Sequence, residues 1–130
     1  LAINIFPTAD AWHAPTPHID HAIKEHRHRT FPLPFRIATM TFLSDVPECG
    51  GGGTAVWPGS HERIKALARS DEDKYEYMWV LNQDMERMSL GDPVILTPRR
   101  GDVLFYQCLC AHSGSVNKRD RPRLALNHKW

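Results

Sequence analysis

Ten prolines and eight glycines are scattered through 130 residues, so almost no stretch can sustain a long helix. Proline removes a backbone donor and clashes inside helices, and glycine loses more conformational freedom on folding than any other residue. Between these breaks lie short apolar or alternating runs at 2–6, 35–43, 54–57, 93–96, 102–107 and 123–128. Turn signals bound them, among them Pro47-Glu48-Cys49-Gly50, Pro58-Gly59 and Arg100-Gly101-Asp102. Many short strands separated by such turns give a β-sandwich, jelly roll or barrel. One stretch differs. Residues 60–88 are rich in Glu, Lys, Arg, Met and Ala, which favour helix. Ser60 is expected to cap a helix that His61 opens, and Ser70 with Asp73 fits a capping box for a second. No repeat or linker divides the chain. The expectation is one mainly β domain over residues 1–130 with a helical insertion.

Charge and hydropathy narrow the class of function. Sixteen Lys and Arg against fifteen Asp and Glu leave a net charge of +1, which gives no general grip on nucleic acid or an anionic membrane. No apolar run approaches the roughly 18 residues of a membrane span. The opening Leu-Ala-Ile-Asn-Ile-Phe-Pro has no basic n-region or cleavage pattern and reads as a strand, not a signal peptide. Because it starts with Leu inside an apolar run, residues are expected to precede it in a longer protein. Cys49, Cys108 and Cys110 are odd in number, and two are too close to bridge, which suits reduced thiols in the cytoplasm.

Histidine is the unusual part of the composition. Eight are present, five of them between positions 13 and 28. In His18-Ile19-Asp20 the outer residues share one face of an extended strand, so both can reach one ion while Ile19 packs behind. Two histidines and one carboxylate on one face of an octahedral Fe(II) leave three positions open. The third ligand must then come from a distant strand. A second strand, 102–107, leads through Cys108-Leu109-Cys110-Ala111 to His112 and a polar loop, 113–117. Arg123 follows eleven residues after His112. If those strands pair as a hairpin, Arg123 lies near the metal on the same inner face. A buried Arg there needs an anionic partner, and the distal carboxylate of 2-oxoglutarate is a suitable one.

Pro17-His18-Ile19-Asp20, the segment from Gly51 through Pro58-Gly59-Ser60-His61, and Gly101-Asp102-Val103-Leu104-Phe105 through His112 to Arg123-Leu124-Ala125-Leu126-Asn127 resemble the phytanoyl-CoA dioxygenase family of Fe(II)/2-oxoglutarate oxygenases. The resemblance implies a double-stranded β-helix, the jelly roll of cupin-like proteins. It also implies Fe(II) bound by His18, Asp20 and His112, with 2-oxoglutarate held at Arg123 and O2 as the oxidant. Arg121 is the alternative anchor. Where the family often has a hydroxyl two residues after the distal His, this chain has Gly114; Thr39, Thr41 or Ser113 stand as substitutes. The implied reaction is hydroxylation of a small molecule with 2-oxoglutarate converted to succinate and CO2, because related halogenases lack the carboxylate that Asp20 supplies.

Duller readings stand beside these. His18 and Asp20 can be a surface pair, His112 a satisfied core histidine, and Arg123 a partner of Asp102 or Asp120. His21, His26 and His28 can form a second metal site or line the substrate entrance. Cys108 and Cys110 with His112 can form a zinc site, or the thiols can simply fill the barrel. Gly50–Gly53 lacks the Lys-Ser/Thr of a phosphate loop and reads as a tight turn. Two rival functions remain: a cupin-like metal-binding module without turnover, and a zinc hydrolase or isomerase. Arg123 favours the oxygenase over both. Substrate and oligomeric state are not legible.

Overall fold

The computed structural model describes residues 1–33 and 36–130. Six strands form two three-stranded antiparallel sheets. The first has the order β4 (Val103–Gln107), β1 (Ile37–Phe42), β6 (Ala125–Lys129), and the second β3 (Val94–Ile95), β2 (Thr54–Val56), β5 (His112–Gly114). Two isolated pairings widen the sheets. Ala2 and Ile5 bridge Leu126 and Arg123 along the β6 edge, and His18 bridges His112 along the β5 edge. Two antiparallel sheets facing one another match the expected jelly roll.

β1 explains how the first sheet is seated. Ala38, Met40 and Phe42 alternate along it and are all buried, which places them on one face toward the second sheet. The helices pack elsewhere. α1 (Ser60–Ser70) buries Ile64 and Ala68, one turn apart, and α2 (Met78–Met85) buries Met78, Leu81 and Met85. These meet Trp57, Ile19 and Leu109 in the larger of two core clusters. A side chain such as Ile64 or Leu81, fully buried, stabilises by about 1.5–3 kcal/mol, and truncation to Ala costs about 2–5 kcal/mol. Ile19 belongs to this cluster, so the residue between His18 and Asp20 is the peg that fixes both.

Several expectations need correction. Strand 35–43 begins at Ile37, and Phe35 lies outside the described residues. Residues 2–6 contribute bridges instead of a full strand. Ser60 is the first residue of α1, not its cap: Gly59, at φ 76°, precedes it, and Ser60 Oγ accepts a bond from the Ala111 N–H. Ser70 ends α1 by donating to the Leu67 carbonyl, and no helix starts there. α2 begins at Met78, whose N–H donates to the His28 carbonyl. The hairpin also does not form. β5 pairs with β2 and β6 with β1, so His112 and Arg123 face each other from different sheets. Among the described residues, no helix is long and apolar enough to cross a membrane.

Candidate functional site

His18 and His112 exchange both backbone hydrogen bonds, each 3.0 Å, and their ring centroids lie 4.5 Å apart. Asp20 is 7% exposed, and its Oδ1 sits 3.8 Å from His112 Nε2. His112 Nδ1 donates to the Cys110 carbonyl at 2.9 Å, since a carbonyl can only accept. That bond orients the ring and turns Nε2 toward Asp20. His18 keeps part of its surface in water, yet burial around the ring and the nearby His112 push its pKa down to about 4, against the pull of Asp20. Its imidazole is therefore neutral at physiological pH, the form that binds a metal.

Donors of this kind fit a 2-His-1-carboxylate centre. The strongest sign is Asp20 Oδ2, which is buried without a hydrogen-bond partner among the described residues. A buried carboxylate oxygen left bare is costly and calls for a cation. As the side chains stand, no group of three or more His, Cys, Asp or Glu among the described residues is arranged to hold a metal ion. Lys129 takes part of the space, its Nζ 2.6 Å from Asp20 Oδ1. Tyr106 closes one side, with its ring 4.7 Å from that of His112. Burial and the charge of Asp20 raise its phenol well above the usual range, so it stays protonated.

Arg123 lies in the same place from the opposite sheet. It is 2% exposed, and its Nε and Nη1 each donate at 3.0 Å, to the Gly52 and Ile3 carbonyls. Burial pulls its pKa down to about 10, so it remains charged. Neither Asp102 nor Asp120 pairs with it; no carboxylate does among the described residues. His18, Asp20, His112 and Arg123 all line one cavity of about 120 Å³, together with Met40, Thr54, Asn127 and Lys129. A larger cleft of about 650 Å³ opens behind Arg123, beside Arg100, Arg119 and Arg121. Neither His18, His112 nor Asp20 lines it, so the small cavity is the one that gathers the candidate ligands. Arg121, the alternative anchor, is exposed and belongs to that outer cleft.

Thr39 and Thr41 are not brought in. They alternate with Met40 on β1 and do not line the cavity. Thr54 and Ser113 do. The missing hydroxyl at Gly114 also has a cause: a Cβ there would meet Ile5 Cδ1 at 2.9 Å, because the N-terminal segment fills the space. The ring centroids of His21 and His28 lie 4.8 Å apart and those of His26 and His28 5.8 Å, without a ligating group. Cys108 and Cys110 sit in a turn, not a strand; Cys110 Sγ lies 3.9 Å from Ser60 Oγ. Lys129 and Asn127 were missed in the sequence. Period-2 counting from Arg123 would have found both, since 123, 125, 127 and 129 share one face.

Residues 4–125 match the family model for phytanoyl-CoA dioxygenase (PhyH). No curated protein sequence matches the chain. Among solved structures it resembles the non-heme α-ketoglutarate-dependent carbocyclase SnoK from nogalamycin biosynthesis, at 24% identity and a TM-score of 0.64 over 97% of this chain and 45% of that one. The epimerase SnoN, in complex with Fe3+, α-ketoglutarate and nogalamycin RO, gives 22% identity and 0.64 over 98% and 46%. EctD from S. alaskensis, with 2-oxoglutarate and 5-hydroxyectoine, gives 18% and 0.55 over 88% and 37%. The chain therefore spans less than half the length of these structures, and the likeness to them is one of fold.

Proposed function

The chain belongs to the phytanoyl-CoA dioxygenase family, and from that premise we propose that it is the core of an Fe(II)- and 2-oxoglutarate-dependent oxygenase that hydroxylates a small molecule. The observation that carries this reading is Arg123. A charge 2% exposed, without a carboxylate partner among the described residues, is held by two backbone carbonyls across a 120 Å³ cavity from His18, Asp20 and His112. An isolated buried cation is expensive unless an anion completes the site. A dicarboxylate answers both ends, one carboxylate on Arg123 and the other toward the metal.

His18, Asp20 and His112 would hold Fe(II). Bound there with 2-oxoglutarate and O2, the iron would supply oxidising power strong enough for unactivated C–H bonds at the expense of 2-oxoglutarate, converted to succinate and CO2. The protein's own residues do the rest. His112 is oriented by the Cys110 carbonyl, His18 by its sheet rung with His112, and Asp20 by Ile19 in the core. Met40 lines the cavity from the first sheet, and the Tyr106 ring lies 4.7 Å from that of His112. Related halogenases lack the carboxylate, so Asp20 as a ligand favours hydroxylation over halogenation.

The test is an anaerobic titration with Fe(II) and 2-oxoglutarate, followed through the visible metal-to-ligand charge-transfer band. The band is expected in the wild type, absent in His112→Ala, and in Arg123→Gln displaced to far higher 2-oxoglutarate. A metal-replete, folded protein without the band would remove the reading and bring forward the cupin-like binder or zinc enzyme.

A further inference from the structure

A cavity of 120 Å³ is well below the roughly 300 Å³ of a small-molecule pocket, so the cosubstrate alone would fill it. The substrate needs a place nearby. A second hollow of about 400 Å³ opens at the loop that follows Asp20, with His21, His28, Arg29 and Arg36 in its walls and Phe31 and Met78 supplying apolar surface. His21 directly follows Asp20 in the chain, so the two hollows draw on consecutive residues. The loop that carries it is held shut by the pairing of Arg29 with Tyr77 and by the Thr30 N–H on the Glu76 carbonyl.

The charges in this hollow do not cancel. Arg29 is answered by Glu76 at 2.9 Å. Arg36 has no carboxylate partner among the described residues, and His21 and His28, which line the same hollow, stand edge to face with ring centroids 4.8 Å apart and N–H groups to offer. The whole chain carries only +1, so this is a local concentration, not a reflection of a basic protein. A concave surface of one sign gathers ligands of the other, and a guanidinium takes a carboxylate or phosphate through two parallel bonds.

We propose that this hollow is the substrate site and that it takes a molecule with an anionic head, a carboxylate or a phosphate, held by Arg36 with His21 and His28, and an apolar body lying against Phe31 and Met78. This rests on the oxygenase reading for the word substrate, but the binding itself does not. Glu76 already satisfies Arg29, which leaves Arg36 as the residue that selects the head.

The experiment is a calorimetric titration of the full chain with octanoate, octyl phosphate and octylammonium, with neither iron nor 2-oxoglutarate added. At least one anion is expected to bind and octylammonium is not; whichever anion is tighter identifies the head. Arg36→Gln is expected to weaken the anion about tenfold, and Arg36→Lys to recover most of it. Equal binding of octylammonium, no binding of either anion, or an Arg36→Gln protein that is folded by circular dichroism and binds as before would each overturn the proposal. Anion binding that persists when the charge-transfer band fails would remove the oxygenase reading and leave this one standing. The reverse result would remove only this one.

Discussion

Lys129 Nζ donates a 2.6 Å hydrogen bond to Asp20 Oδ1, the oxygen that faces His112 Nε2 at 3.8 Å. The lysine and a metal ion would compete for one carboxylate. Lys129→Met is therefore expected to bind Mn(II) about tenfold more tightly, measured by calorimetry, because no ion pair must be broken first. The same variant without metal should melt earlier, by the equivalent of about 1–2 kcal/mol, since Asp20 loses its cation while Lys129 was partly in water. Unchanged Mn(II) affinity would show that the lysine swings away freely and has no say in metal binding.

Binding of 2-oxoglutarate should also register as stability. With Mn(II) present and cosubstrate at a hundred times its dissociation constant, linkage gives about 2.7 kcal/mol. The wild type is expected to melt several degrees higher, and Arg123→Met to show no such rise at the same concentration. A rise of equal size in both would place the cosubstrate away from Arg123.

Gly53 is closed to any side chain. A Cβ there would lie 2.3 Å from the Leu96 carbonyl oxygen, where Leu96 joins the sheet through Thr54. Gly53→Ala should cost about 2–3 kcal/mol by forcing β3 away from β2. Gly91→Ala provides the comparison: nothing lies within 4 Å, and only its φ of +79° resists, at about 1 kcal/mol. Denaturant titration of both variants decides, and equal losses would contradict the crowding at Gly53.

The thiols should separate by reactivity. Cys49 is exposed, whereas burial raises the pKa of both Cys108 and Cys110. Since the thiolate is the nucleophile, iodoacetamide at pH 8 is expected to alkylate Cys49 first and the other two slowly, as read by peptide mass mapping. Fast labelling of Cys110 would mean that its contacts with Ser60 and the Trp57 carbonyl open readily.

Local signals carried much of this into the sequence. Alternation at Ala38, Met40 and Phe42 and the turns at Pro58-Gly59 and Arg100-Gly101 are short-range, and they survived folding nearly unchanged. His18-Ile19-Asp20 was legible because one buried residue between two polar ones is a strand pattern. What was lost depended on partners distant in the chain. β5 is three residues of His, Ser and Gly, with no apolar period to announce it. Thr39 and Thr41 were offered as substitute hydroxyls because alternation gives two faces without saying which is inner; Met40 took the inner one by packing near Thr54 and Arg123. Ser70 and Asp73 matched a capping pattern, but Asp71 accepts the Lys74 N–H instead and ends the helix with a turn.

The first residue of the chain and one near its end lie on adjacent rungs of a sheet: Leu1 donates to the Asn127 carbonyl at 3.0 Å and accepts from the Asn127 N–H at 2.8 Å. Leu1 and Asn127 both line the small cavity. Residues 3–5 run along the β6 side of the first sheet, where the Ile3 and Ile5 N–H groups donate to the Ala125 and Arg123 carbonyls at 2.9 Å, so this extended segment covers an edge that would otherwise invite pairing with another chain. The same segment offers the Ile3 carbonyl to Arg123 Nη1 at 3.0 Å, so guarding the sheet against aggregation and seating the buried guanidinium are one and the same act of folding.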